Sequence, residues 1–218
     1  MMDKHKFLES LNSPLDYWGT KNTEEVKDLL GNEVSIMVGF DQRNPHHCYD
    51  LFNHSLYAVQ ELHTENDILK TAAFFHDIGK PDVAMEKNDR LVFYGHAKKS
   101  AEIVKPLLYN LGYTKEEIKK IKFLISHHDD FISWCLPEED YDKTNKFLVP
   151  ITTEKLSEHI VKFSNENLTI EMWKCLLLLC RADIMSQADH VYIDGNLVDT
   201  KEHKLSKIDR LMSVINEL

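Results

Sequence analysis

Cysteine, glycine and proline are all scarce in this chain of 218 residues, at 4, 7 and 6. Cys48, Cys135, Cys175 and Cys180 form no Cys-x-x-Cys pair, which removes zinc ribbons and dithiol redox motifs from consideration. Cys175 and Cys180 flank four leucines and read as core thiols, so reduced cysteines and a cytoplasmic protein are expected. So few chain breakers favour long helices over many short strands and turns. An excess of basic charge is missing too. The net charge of −10 argues against a protein that holds nucleic acid mainly through its phosphates, although local basic patches remain compatible with it. The N-terminal Met-Met-Asp-Lys-His-Lys lacks the apolar region of a signal peptide. The most apolar run, 172–185, is interrupted by Lys174, Arg181 and Asp183. It falls short of the roughly 20 residues that cross a bilayer, so it reads as a buried helix and no membrane partner is expected.

What the chain does have is 12 histidines and one unusual juxtaposition, Ala73-Phe-Phe-His-Asp-Ile-Gly-Lys80. An ordinary buried helix gains nothing from two adjacent polar side chains that are costly to bury. A metal ion gains a neutral nitrogen and an anionic oxygen from one turn of backbone. His54 lies upstream of the pair, and His96, His127 and Asp183 lie downstream, each at a helical position. Asp183 is the only acid in its apolar run. Its structural explanation is a partner such as Arg181, and its functional one is a metal. A lone histidine such as His54 is more often structural than a ligand, and His5, His63, His159, His190 and His203 are left at that reading. His128 is an alternative to His127, since the sequence does not say which of the two faces a cleft.

Residues 1–41 read as a helical lead-in, with Thr23 capping a helix that Gly31 ends. The main domain spans 42–190. Gln42-Arg-Asn-Pro-His-His47 is a polar turn before the His54 helix, whose Leu51, Leu56, Val59 and Leu62 recur at helical spacing. The spacing predicts the next helix over 67–78. After it comes a loop over 85–95 with an Asn-Asp turn fit for a hairpin, then a helix from His96 to about Leu111. Thr114 and Glu117 form a capping box for the helix that ends at His127-His128. An acidic connection over 129–152 is the candidate lid or specificity insert. Thr153 and Thr169 open further helices, the second carrying Asp183. Asp194-Gly195-Asn196 is a turn, and 191–218 closes with a charged helix packed on the bundle. The expectation is an all-α, single-domain helical bundle whose candidate ligands project into one central cleft.

The order His54, His76-Asp77, His96, His127-His128, Asp183 resembles the HD-domain superfamily of metal-dependent phosphohydrolases. His96 and His127 look like the extra histidines of its subset with a binuclear site. Asn44-Pro-His-His-Cys-Tyr-Asp-Leu-Phe-Asn-His54, Arg90-Leu-Val-Phe-Tyr-Gly-His96 and Cys180-Arg-Ala-Asp183 are similar to the HD domain of bacterial CCA-adding tRNA nucleotidyltransferases. No Gly-Ser…Asp-x-Asp motif precedes them, so nucleotide addition is not expected. No Gly-Tyr-Pro accompanies the pair, so the cyclic-dinucleotide-degrading variant gains no support.

The resemblance implies a helical bundle around one or two divalent ions (Mg, Mn, Fe, Ni, Co or Zn). His54, His76, Asp77 and Asp183 would hold the first, and Asp77, His96 and His127 a second. A metal acidifies water and polarises a phosphoryl oxygen. Asp77 and Lys80 are the expected catalytic pair. Lys80 either neutralises phosphate charge or is a solvated lysine at a helix C-terminus. Arg43, His46, His47 and His128 are candidate substrate contacts, and Asp129 and Asp130 either orient a histidine or are exposed charge. Lys98, Lys99, Lys105, Lys115, Lys119, Lys120 and Lys122 form either a basic rim or a solvated face. The expected substrate is a nucleotide or small phosphoester, with 2′,3′-cyclic phosphates and an RNA end within its range. A di-iron oxygenase and a non-catalytic nucleotide sensor are the competing readings.

Overall fold

Several helices start where the sequence offers a side-chain acceptor to the first free backbone N–H groups. In the computed structural model, which describes residues 2–130, 134–135, 149–150, 169–193, 196–199 and 201–217, Asp3 caps α1 (Lys4–Ser10). The short α2 is Pro14–Tyr17. Asn22 and Glu25 form a capping box on α3 (Thr23–Leu30), one residue earlier than the cap expected at Thr23, because the amide oxygen of Asn22 reaches the Glu25 N–H. After α4 (Asn32–Ser35), Asp50 caps α5 (Leu51–Glu61) and Asn66 caps α6 (Asp67–Phe75). The short α7 is Lys80–Val83. Next come β1 (Met85–Lys87) and β2 (Arg90–Val92), an antiparallel hairpin whose turn residues Asn88 and Asp89 take φ of 52° and 60°. That is the Asn-Asp turn the sequence suggests.

The helix α8 (His96–Leu111) ends at Gly112 with φ of 96°. The Thr114–Glu117 box caps α9 (Lys115–His127) as expected. The two-residue strands β3 (Trp134–Cys135) and β4 (Val149–Pro150) pair in parallel. Thr169 precedes α10 (Ile170–Met185), and β5 (Val191–Ile193) pairs with β6 (Asn196–Val198) before α11 (Lys201–Asn216). Most of the 129–152 connection, the helix expected from Thr153 and the Asp194-Gly195 part of the turn lie outside the described residues. The architecture is all-α, with only small two-stranded sheets.

At the centre stands α6. Every residue from Leu69 to Phe75 is buried, so this helix has no solvent face, and α5, α9 and α10 surround it. Its two buried polar side chains have partners, Lys70 in Asn12 and Thr71 in Tyr113, and a helix buried on all sides is stable only in such a position. The lead-in supplies its back wall. Phe7 stacks on Phe75 at 5.5 Å between ring centroids and meets Phe74 edge-on at 5.4 Å, while Trp18 lies 5.6 Å from Phe74. Burying each of these rings contributes about 2–3 kcal/mol. The aromatic cluster therefore fixes the helix end that delivers the His-Asp pair.

Candidate metal centre

The expected helix over 67–78 ends three residues early, with His76 as the C-cap of α6. Ile78 N–H then donates to the Phe75 carbonyl and Lys80 N–H to that of Asp77. This tight double turn presents His76, Asp77 and Lys80 to one cleft. Gly79 makes it possible. Its φ is an ordinary −83°, so close approach and not backbone freedom requires the glycine. An added Cβ would lie 2.5 Å from Ser100 N and 2.9 Å from the His96 carbonyl oxygen. Gly79 N–H donates to Ser100 Oγ at 2.9 Å. The His-Asp turn is thus seated on the first turn of α8, the turn that carries His96.

Four ligand atoms, from His54, His76, Asp77 and Asp183, lie within 4.8 Å of one another, and all four residues are buried. His54 Nε2 is 3.0 Å from Asp183 Oδ1, and His76 Nε2 is 3.1 Å from Asp77 Oδ2. Asp77 also belongs to a second group with His96 and His128. Its Oδ1 lies 3.1 Å from His96 Nε2 and 3.5 Å from His128 Nε2, and those two nitrogens are 3.2 Å apart.

The tautomers follow from what holds the other side of each ring. Nδ1 of His76, His96 and His128 faces the carbonyl oxygen three residues back, of Ala73, Phe93 and Ile125, at 2.7, 2.9 and 2.7 Å. A carbonyl only accepts, so each Nδ1 carries a proton and each ring turns its Nε2, the atom that can take a cation or a second proton, inward. Nδ1 of His54 meets Ser186 Oγ at 2.9 Å, and that hydroxyl donates to the Asp183 carbonyl, so it accepts from the ring. His54 Nε2, His76 Nε2 and Asp77 Oδ1 are buried and have no hydrogen-bond partner. Lone pairs aimed at one another and at carboxylates repel unless a cation lies among them. Nitrogen and oxygen donors of this kind suit a divalent first-row metal, and the residues present fit one.

In the ion-free protein a proton on His76 stands where a cation would. Burial alone would lower the pKa of His76, but Asp77 and Asp183 outweigh it and raise it to about 10. Burial opposes ionisation of Asp77, yet His76 and Lys80 hold that carboxyl well below its usual range. His54 and His76 do the same for Asp183. Two buried carboxylates stay charged only because positive charge is drawn in beside them.

Among the substrate candidates, Lys80 is no solvated lysine. It is buried, with Nζ 2.6 Å from Asp77 Oδ2, 2.7 Å from Gln42 Oε1 and 3.4 Å from His47 Nε2. The ring of His47 packs edge-on against His54, at 4.7 Å between centroids. Burial first, and Lys80 second, lower its pKa to about 2. It is a neutral neighbour of the site.

Two expectations are corrected. His127 turns away, its Nδ1 2.6 Å from Asp130 Oδ2, and His128 takes the place expected for it. Successive helical residues point about 100° apart, so only one can face the cleft. Cys180 Sγ–H, donating to the His128 carbonyl at 2.9 Å, fixes which one. Arg43 is turned to the hairpin, 2.9 Å from Glu86 Oε1 and 3.3 Å from the Asp89 carbonyl, and fastens the turn instead of lining the site. Asp130 pairs with His127 outside the ligand set, and Asp129 reaches 3.9 Å from His96 Nδ1. Gln42, Ser100, Ser186 and Gln187 were not foreseen. Of these only Ser186, three residues after Asp183 and just past the buried helix, left a trace in the sequence.

A family model described as "HD domain" matches residues 46–191, and the chain belongs to that family. Over 145 residues the chain is 34% identical to a CC-adding tRNA nucleotidyltransferase of Thermus thermophilus, covering 62% of this chain and 32% of that protein. The chain thus spans about a third of the length of that curated relative. No helix among the described residues is long and apolar enough to cross a membrane.

Proposed function

We propose that this protein is a metal-dependent phosphohydrolase acting on nucleotides or nucleotide-like phosphoesters, with 2′,3′-cyclic phosphates and RNA ends in its substrate range. The supporting observation is the convergence of inward-turned histidine Nε2 atoms on the two oxygens of Asp77. His54, His76, Asp77 and Asp183 would hold one divalent ion, and Asp77, His96 and His128 a second. Bound there, such ions acidify water and polarise a phosphoryl oxygen.

The chain's own residues do the rest. The carbonyl tethers fix each imidazole, so ring orientation needs no adjustment during reaction. Lys80 keeps Asp77 ionised and stands at the cleft with three donors, of which the 3.4 Å contact to His47 is the weakest and the one a phosphoryl oxygen would replace. The neutral His47 and the buried Gln42 set the direction of that ammonium. The relative named above acts on tRNA by its name, which favours a nucleotide or RNA-end substrate here.

The experiment is elemental analysis of the purified protein, with hydrolysis of bis-p-nitrophenyl phosphate and of a nucleotide panel, beside the Asp77→Ala variant. Bound metal with hydrolysis lost in the variant supports the reading. Bound metal with oxygen-dependent turnover and no hydrolysis replaces it with a di-iron oxygenase. No uptake under any loading condition overturns it.

A further inference from the structure

Lys70 is buried on the central helix α6, and the metal centre makes no use of it. A buried ammonium is costly unless its charge and its donors are met. One of its three donors goes to Asn12 Oδ1 at 2.9 Å. The acid it meets is Glu65, whose Oε2 stands 3.5 Å away on a side chain that is 99% exposed. That is longer than a charge-assisted hydrogen bond, and the carboxylate keeps its hydration. The buried charge is only loosely matched.

Beside Lys70 a cavity of about 410 Å³ opens between the α1–α2 connection and the α5–α6 connection. Small-molecule sites typically measure roughly 300–1,000 Å³. Buried Leu11, Pro14 and Val59 give it an apolar wall. Asn12 and Ser13 face it with polar groups. Asn12 takes the Lys70 proton on Oδ1, which leaves its amide NH₂ as a donor. Ser13 precedes α2 without a side-chain capping bond, so its hydroxyl is not committed there. At the rim His63 turns the chain with φ of 44°. A non-glycine residue adopts that conformation at a cost, and such strain collects at ligand sites. No candidate metal ligand lines the cavity. Lys70 also lies about 9 Å of helix axis before His76.

We propose that this cavity is a binding site for a small organic anion, a carboxylate or phosphate with an apolar body. Its charged group takes the place beside Lys70 that Glu65 now holds loosely. Lys70 Nζ, the Asn12 amide and the Ser13 hydroxyl are the donors, and the body lies on Leu11, Pro14 and Val59. Asp16 and Glu65 stand exposed on the rim, where water and salt screen their field. Glu65 is the ligand's competitor, and it swings out to solvent without uncovering any core. The site is independent of the phosphohydrolase reading.

The test is isothermal titration of the full chain with benzoate and phenylphosphonate, beside benzyl alcohol and benzylamine as neutral and cationic controls. At least one anion is expected to bind more tightly than about 10 mM, the weakest value expected of a ligand of about ten heavy atoms. It should exceed both controls at least about tenfold. The two anions distinguish a carboxylate from a phosphate ligand. Binding should persist in Asp77→Ala, which separates the cavity from the metal centre, and fall at least about tenfold in Lys70→Met. Glu65→Gln should tighten it about twofold or more, since the competing charge is gone. Anions that bind no better than benzyl alcohol overturn the site, as does binding that vanishes in Asp77→Ala. Should Lys70→Met fail to fold, Glu65→Gln decides, and an affinity unchanged there marks Lys70 as a purely structural lysine.

Discussion

Asp77 Oδ1 lies 3.1 Å from His96 Nε2, while the other oxygen of the same carboxylate lies 3.1 Å from His76 Nε2. One side chain thus joins two groups of imidazoles, and its loss should not resemble the loss of any one of them. With Mn²⁺ loading followed by elemental analysis, two equivalents are expected in the wild type, one in His96→Gln, and none in Asp77→Ala. A single retained equivalent in Asp77→Ala would show that the carboxylate does not bridge.

Adjacent histidines give a sharper comparison. His128→Gln is expected to lose one metal equivalent and to lower phosphoester hydrolysis by at least the roughly 10–100-fold that loss of a residue orienting a metal ligand costs. His127→Gln breaks a partly exposed pair with Asp130. It should stay within about 1 kcal/mol of wild-type stability and keep both ions. The reverse pattern would return the ligand to His127.

Protonation gives a third expectation, with its sign set by the shifts described above. His76 is raised from 6.5 to about 10 in the ion-free protein. Its contribution to stability is therefore complete below about pH 6.5 and is lost as pH rises through 10. Asp77 and Asp183 are depressed below 3.8, so theirs is present above that value and lost as pH falls below it. Neutral His47, lowered to about 2, costs stability as pH falls below 6.5. Chelated protein should therefore show its highest Tm near pH 6.5, falling on both sides. Metal loading at pH 7.5 should release about one proton and abolish the alkaline decline. Calorimetry in buffers of different ionisation enthalpy counts that proton, and a count of zero would contradict a charged His76.

Gly79 supplies the fourth. In Gly79→Ala the new methyl group meets the backbone of α8 at Ser100 and His96, and backbone has nowhere to give. The variant should lose about 1–3 kcal/mol in urea denaturation, the usual range for overpacking. It should also lose the ion shared by His96 and His128 before the one held by His54. A fully stable variant with both ions would show that the contact between Gly79 and α8 is not needed.

Much of this centre could be read from residue order. The Thr114–Glu117 capping box and the apolar spacing of Leu51, Leu56, Val59 and Leu62 placed two of the helices. The improbable cost of burying His76, Asp77 and Asp183 marked the site. What remained unread depended on rotation about helix axes and on distant chain. The choice between His127 and His128 is a difference of about 100°, settled by packing against Cys180. Arg43 looked like a substrate contact until Glu86, 43 residues away, was seen to hold it. Gln187 lies only four residues past Asp183, but a glutamine there carries no pattern of its own.

The tethering of three imidazoles to carbonyls of their own preceding turn has a consequence for inheritance. Each of these three rings is aimed by its own preceding turn. A scaffold has only to bring such ends together. Loops and inserts between them can lengthen, shorten or change partner without re-aiming a nitrogen, so selection can rewrite what enters the cleft while the ion's cage is copied unchanged.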